Sequence, residues 1–345
     1  MARKGKGLFD AELRLRKIDS IGDPLQKLDE VIGWEIFRPL LNKGFAKDTP
    51  PQGPGGRPPF DNLLRFKILI LQSLYNLSDD AMEYQLNDRR TFQRFVGLDD
   101  QDAIPDAKTI WAWRETLVRS GRLQKLFDRF WSYLENAKIK ANSGSIIDAS
   151  FVDKPRQRNT KEENDTIKKG ETPEEWEKPG NEAKLRQKDT DARWAKKNNE
   201  THYGYKNHVK VDRKTKLITK CVVTDASVHD SRALSGLVDK TDQGKAIYAD
   251  SAYSGSGQLE TIRKKKALPR VNEKGFRNRK LTKAQMDRNR RLSRTRARVE
   301  HVFGFMTMSM GGMVIRCVGF VRAEAAIVLK NLAYNMRRYC VLVGA

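Results

Sequence analysis

Apolar residues recur at helical spacing through the first third of the chain. Asp23-Pro24 suits an N-cap and first helical position, and Leu25, Leu28, Val31, Ile32, Ile36 and Leu40 follow on one face. A Pro/Gly-rich stretch at 50–59 breaks the pattern as a linker or turn. From Asp61, a second N-cap, Leu64, Ile68, Leu71, Leu74 and Tyr75 share a face, and Ser78 opens a helix with Met82 and Leu86. Asp106 opens another through Ile110, Trp111, Trp113, Leu117 and Val118, resuming past Gly121 through Leu123, Leu126, Phe127, Phe130, Trp131 and Leu134. Short helices in succession fit a helix-turn-helix module and an ordinary bundle about equally well.

The period changes at Ser145. The run Ser145-Ile-Ile-Asp-Ala-Ser-Phe-Val predicts a strand with Asp148 inside it, bounded by Asn142-Ser-Gly. Residues 153–200 hold 13 basic and 12 acidic side chains with few apolar ones, which predicts a surface insertion, partly disordered and without a role in the core. Residues 203–211 and 217–223, joined by Asp212-Arg-Lys-Thr-Lys, read as two antiparallel strands. A strand at 246–250 ends in Asp250, and 267–271, interrupted by Pro269, suits a short edge strand. Thr282-Lys-Ala-Gln285 matches a capping box for a helix with Met286, Leu292, Val299, Val302, Phe303 and Met306 on its apolar face, and Glu300 lies on this helix. Ala325, Val328, Leu329, Leu332, Ala333 and Met336 give the last helix a face to cover the sheet. The expected organisation is a helical region at 1–140, for DNA binding or assembly, and an α/β region at 141–345 with a polar insertion at 153–200.

Charge narrows the partner. Across 345 residues, 67 Lys and Arg against 44 Asp and Glu leave +23, which favours a polyanionic ligand. Cys221, Cys317 and Cys340 have neither disulfide-framework nor zinc spacing, which fits a reducing cytoplasm. Lys330, Arg337 and Arg338 interrupt the longest apolar stretch, so no membrane span is expected, and Met1-Ala-Arg-Lys-Gly-Lys leads into no apolar signal-peptide core. Residues 261–298 contain 16 Lys and Arg against two acids, Glu273 and Asp287. Because this run leads into Glu300, phosphate contacts beside the chemistry are favoured over a merely solvated face.

Three acids stand where an acid is locally odd: Asp148 in an apolar strand, Asp250 at a strand end, and Glu300 among Arg294, Arg296 and Arg298. Any one alone is more simply a cap or an ion-pair partner. Brought together they make an oxygen site for Mg²⁺ or Mn²⁺, and phosphodiester chemistry uses two such ions about 4 Å apart. Arg296 and Glu300 are four apart on one helix, so the guanidinium either holds a DNA phosphate or pairs with the carboxylate. Asp225 and Asp230 rank lower, the first at a turn and the second as a helix N-cap with Ser231. His202, His208, His229 and His301 are scattered and read as packing or hydrogen-bonding residues. Tyr253 suits a base or phosphate contact and a packed aromatic equally.

These residues resemble the IS5-type bacterial insertion-sequence transposases, of the DDE class with a ribonuclease-H-like catalytic core. Leu74-Tyr-Asn-Leu-Ser-Asp, Gln85-Leu-Asn-Asp-Arg, Phe92-Gln-Arg-Phe-Val-Gly-Leu and Pro105-Asp-Ala-Lys-Thr-Ile are similar to the family's helical N-terminal domain. Ile147-Asp-Ala-Ser, His202-Tyr-Gly-Tyr-Lys-Asn-His, Val223-Thr-Asp-Ala-Ser-Val-His-Asp-Ser, Tyr248-Ala-Asp-Ser-Ala-Tyr and Arg298-Val-Glu-His-Val-Phe-Gly are similar to its catalytic blocks. The resemblance implies an α/β ribonuclease-H-like fold with a mixed sheet, and Asp148, Asp250 and Glu300 as the catalytic, metal-holding acids. It also implies Mg²⁺, with Mn²⁺ as a substitute, and a homo-oligomer on double-stranded DNA that cuts the element's ends and joins the 3′-hydroxyls to a target. Around the last acid Arg296 fits the family's arginine, whereas Ser293 stands at its tyrosine position and Thr307 at its lysine position. That departure leaves Arg298 or Lys206 to orient the terminal phosphate. Lys206, Tyr253, Arg294, Arg296 and Arg298 are the expected DNA contacts. The rival expectations are a nuclease or resolvase without strand transfer and a non-catalytic repressor.

Overall fold

The computed structural model of the chain describes residues 10–46, 59–99, 101–139, 141 and 143–344. The basic N-terminal hexapeptide, residues 50–58 of the Pro/Gly-rich stretch, and Asn142 lie outside the described residues. The chain forms two compact units, one of residues 1–133 with 332–345 and one of residues 134–331.

The first unit is helical: α1 (Asp10–Ile21), α2 (Pro24–Val31), α3 (Arg38–Gly44), α4 (Asn62–Tyr75), α5 (Asp79–Asp88), α6 (Arg90–Val96), α7 (Ala107–Arg119) and most of α8 (Leu123–Asn136). Side-chain caps set four of the starts. Asp23 accepts from the Leu25 amide, Asp61 from Leu63, Ser78 from Ala81 and Asp106 from Thr109, each relieving an amide that has no partner within its helix. The apolar stripes converge on an aromatic centre in which Phe37 packs 5.1 Å from Phe66 and 6.2 Å from Phe130, centroid to centroid.

The second unit is built on a six-stranded mixed sheet of β1 (Ser145–Asp153), β2 (Arg193–Lys197), β3 (Glu200–Asp212), β4 (Ile218–Asp225), β5 (Ala246–Ala249) and β6 (Leu268–Val271). β1, β3 and β4 are antiparallel neighbours, and β5 and β6 extend the other side of β1 in parallel. Without β2 the spatial order is β4-β3-β1-β5-β6, the ribonuclease-H-like arrangement. β2 pairs with residues 200–204 of β3, and β4 takes over the same edge from Tyr205. Gly204 marks the changeover with φ +146°, where an added Cβ would strike the Val152 carbonyl. Pro269 lies in β6, at the end of the strand order, where a missing ladder donor is tolerated.

Helices α9 (Lys161–Lys168), α10 (Glu174–Glu177) and α11 (Glu182–Gln187) come from the polar insertion, and α12 (Leu234–Leu237), α13 (Ser256–Lys264), α14 (Lys283–Met308) and α15 (Phe320–Leu342) complete the chain. On one sheet face Ile147 packs with Leu234, Leu237, Tyr253 and Ile262. On the other, Val152, Tyr205 and Val223 pack with Ala323 and Ile327 of α15. The buried amides of Asn207 and Asn331 exchange two hydrogen bonds, of 2.8 and 3.0 Å. Only α15 up to Asn331 belongs to this unit; from Leu332 it belongs to the first, so the last helix does not serve the sheet alone.

The insertion departs from the sequence expectation of a segment with no core role. Trp176 is fully buried, its Nε1 donating to Glu163 and its ring covered by the Lys184 and Lys188 ammonium groups at 5.6 and 5.4 Å. Asp189 is also fully buried and pairs with Lys154. It accepts further hydrogen bonds from the Tyr205 hydroxyl and from the amides of Ala192 and Gly319. Lys154 also donates to the Cys317 carbonyl. Charged residues fold this segment because they satisfy one another and set two ammonium groups over one tryptophan ring.

Candidate active site

The parallel ladder between β1 and β5 runs Ser145–Ile146 against Ile247–Tyr248. Side chains two apart on a strand share a face, so carrying this register on by two residues sets Asp148 opposite Asp250 where the ladder stops. Asp250 is fixed by capping the turn Ser251–Tyr253, accepting from the Ala252 amide at 2.9 Å. Asp148 accepts from the Ala149 amide at 2.9 Å. Burial pushes the Asp148 carboxyl above its ordinary value, and the nearby Asp250 charge adds to this. The Ala149 amide, Arg296 and Lys197 pull the other way without reversing it.

α14 supplies the cation. Its capping box forms as the sequence predicts, with Thr282 and Gln285 bonding each other's backbone, and Leu292, Val299, Val302 and Met306 are buried; Met286 is exposed. The Arg296 Nη2 lies 3.5 Å from the Asp148 Oδ2. Ser293, one turn earlier, accepts from the Asn272 side chain at 3.0 Å. Glu300 follows Arg296 by four residues and is exposed, so the structure gathers two of the three acids and leaves the third outside. Among the described residues, no three His, Cys, Asp or Glu side chains converge closely enough to hold a metal ion. Adding a third carboxylate beside Asp148 and Asp250, with Arg296 as the cation placed against the first, is electrostatically uphill, which favours Glu300 in water.

Two buried polar atoms at this edge have no partner among the described residues, the Tyr253 hydroxyl and the Arg296 Nε. Burial raises the phenol, with the charges of Asp230, Asp148 and Asp250 adding to the effect, so the ring sits among three carboxylates as a neutral donor. An all-oxygen donor set beside unspent hydrogen-bonding groups fits a hard divalent cation and its waters.

The expected DNA contacts divide. Arg294 and Arg298 are exposed, the latter donating to the Arg213 carbonyl at 3.1 Å. Of the basic residues in 261–298, all but Lys265, Arg288 and Arg296 are exposed. Two expectations are corrected. Tyr253 is 1% exposed, which leaves no face for a base. Lys206 is buried, its ammonium donating to the Val228 carbonyl at 2.7 Å and pairing with Asp230 at 2.9 Å, so it is spent on the fold. Asp230 is accordingly not the N-cap. That place belongs to His229, whose Nδ1 accepts from the Ser231 amide, while Asp225 holds its turn through Ser227. Lys206–Asp230 also borders His208, fully buried and held to a pKa of about 4 by desolvation, its Nε2 2.9 Å from the Thr224 hydroxyl. His202 stacks on Phe151 at 4.0 Å and faces Asp153 at 3.1 Å. The sequence ranked Asp230 below the other acids as an N-cap, and its ion pair with Lys206 was not foreseen; Lys197, whose charge reaches Asp148, carried no signal.

The described helices include none long and apolar enough to cross a membrane. A family model for the Transposase DDE domain matches residues 140–336, and one for the Transposase domain (DUF772) matches residues 13–116. The chain is also similar to the piggyBac transposase in a cryo-EM structure of its synaptic complex with hairpin DNA, at 12% identity and a TM-score of 0.45, over 93% of this chain and 75% of that one. With strands, acids and arginine in this arrangement, and the DDE model spanning more than half its length, the chain belongs to the transposase DDE domain family.

Proposed function

We propose that this transposase is of the IS5 type and cuts the ends of an insertion sequence, then transfers the freed 3′-hydroxyls to target DNA. The observation that carries the reading is the β1–β5 register, which extended by two residues brings Asp148 to Asp250, with Arg296 against the first. Asp148 and Asp250 would hold Mg²⁺, for which Mn²⁺ substitutes, with Glu300 swinging in from α14. Bound there, the ions supply the charge that activates an attacking oxygen and steadies a leaving one. Once the carboxylates are engaged, Arg296 is free to turn its guanidinium to the phosphate, and the Tyr253 hydroxyl donates to a carboxylate or its water. The exposed basic run at 261–298 lays the duplex along α13 and α14. Residues 1–140 would serve DNA binding and assembly, and 141–345 the chemistry. A homo-oligomer on DNA in the bacterial cytoplasm brings two ends together.

The test is cleavage and strand transfer on fragments carrying the DNA that flanks the gene. Asp148→Asn, Asp250→Asn and Glu300→Gln are each expected to abolish cutting while duplex binding persists. A variant that cuts at the wild-type rate removes its residue from the mechanism. Cutting without joining of pre-cleaved ends identifies a nuclease or resolvase, and binding without cutting by the wild type identifies a repressor.

A further inference from the structure

We propose that the β2–β3 ribbon of the insertion is a DNA-backbone contact continuing the acidic edge of the sheet, with Lys197 at its tip taking a phosphate. The inference rests on the transposase reading above for the identity of the polyanion. β2 and β3 meet across Asn198 and Asn199, both left-handed at φ 49° and 66°, the two-residue turn that suits the twist of a hairpin. The ribbon is braced at its base. Trp194 packs 4.8 Å from Tyr203, and Arg156 lies over Trp194 at 5.7 Å while donating to the Thr201 carbonyl at 3.1 Å. The 4.0 Å stack of His202 on Phe151, with planes 4° apart, ties it to the strand that carries Asp148.

Its tip carries unspent charge. Lys196 and Lys197 are exposed and have no ion-pair partner among the described residues. Glu200, the cross-strand neighbour of Lys197, lies nearest the His202 Nε2 instead, at 3.9 Å. The Lys197 ammonium stands 6.0 Å from the Phe151 ring centroid, three residues along β1 from Asp148. A cation held there without a protein anion matches the strand on which the acids would act. The tip lies against the strand that carries Asp148, and the chain's +23 charge makes nucleic acid rather than an acidic peptide the fitting partner.

Fluorescence anisotropy of the full-length protein with a labelled random-sequence duplex, over a salt series, tests this. Lys197→Ala is expected to weaken binding several-fold and to flatten the slope of log affinity against log salt by about 0.9, the release expected for one phosphate contact. Lys197→Arg should keep the wild-type slope. Lys168→Ala is the control, since that insertion lysine is exposed and paired with Asp165. Melting curves matched to the wild type keep folding out of the comparison. A Lys197→Ala slope equal to the wild type overturns the inference and leaves the transposase reading intact, because the cleavage assays on Asp148→Asn are independent of it. An equal loss in Lys168→Ala overturns it in favour of diffuse attraction. A wild-type protein that binds no duplex overturns both.

Discussion

Replacing Asp189 by Asn keeps the side-chain shape and removes one charge. In the folded protein that carboxylate is fully buried, and its partner Lys154 is itself 3% exposed at the side chain. Asp189 also accepts from Tyr205, Asp191, Ala192 and Gly319, so with Lys154 it joins the two ends of the insertion to each other, to β3 and to the approach to α15. The substitution leaves a buried ammonium with no counter-charge and turns one acceptor into a donor, which costs about 3–5 kcal/mol. Urea unfolding followed by tryptophan fluorescence reads this, because Trp176 and Trp194 both lie in the insertion. Lys154→Met in the Asp189→Asn background should recover much of the loss, since it removes the stranded charge. Burial alone would raise the Asp189 carboxyl, but the hydrogen bond and charge of Lys154, with the Asp191 and Gly319 amides, hold it below its ordinary 3.8. The stability it contributes is therefore complete above that value and drains away as the pH falls through the lower pKa of the folded state. An Asp189→Asn protein that loses less than about 1 kcal/mol, or shows no change in its acid limb, refutes the reasoning.

Three further outcomes are expected. Asp148 is held above the ordinary carboxyl pKa, so its ionised form costs the folded state stability that is regained as the pH falls; Asp148→Asn should raise the unfolding midpoint of metal-free protein at neutral pH, and a lower midpoint contradicts this. Tyr253→Phe removes an unpartnered buried hydroxyl, so stability should change by no more than about 1 kcal/mol while cleavage slows by about tenfold; unaltered cleavage means the hydroxyl is not used. Trp176→Ala should cost about 3–5 kcal/mol and expose residues 153–200 to limited proteolysis, and a protease pattern like the wild type's counts against a packed insertion.

The sheet and the helix starts were legible because their signals are local. Asp23, Asp61, Ser78, Asp106 and Thr282 cap the helices that their positions predict, since a cap needs only its own next turn. Asp148 drew notice because an acid in an apolar strand is out of place, and Asp250 because it ends a strand. The insertion was not legible: Trp176 is buried beside two lysine ammonium groups and a glutamate, and a hydropathy pattern counts those residues as solvent-facing. Lys206 and Tyr253 were misplaced for a related reason. Whether a lysine faces DNA or the core depends on Asp230, 24 residues away, and no local pattern encodes that meeting. Glu300 lies on the helix the sequence predicts for it, and its exposure is not encoded in that helix's own pattern.

The helix that spans Phe320–Leu342 bears on how the molecule is made. Its first half closes the sheet, and its second half lays Tyr339 against Phe130 and Tyr133, at 6.3 and 5.9 Å, and reaches the Pro24 carbonyl through Arg337. A ribosome must therefore synthesise more than 200 further residues after Phe130 before Tyr339 joins Phe37 and Tyr133 against that ring. Until then the earliest-made helices wait with an aromatic seam open to chaperones. A message broken late in translation yields a product whose six sheet strands are all present and whose N-terminal bundle is unfinished, a difference that cellular proteases are equipped to detect.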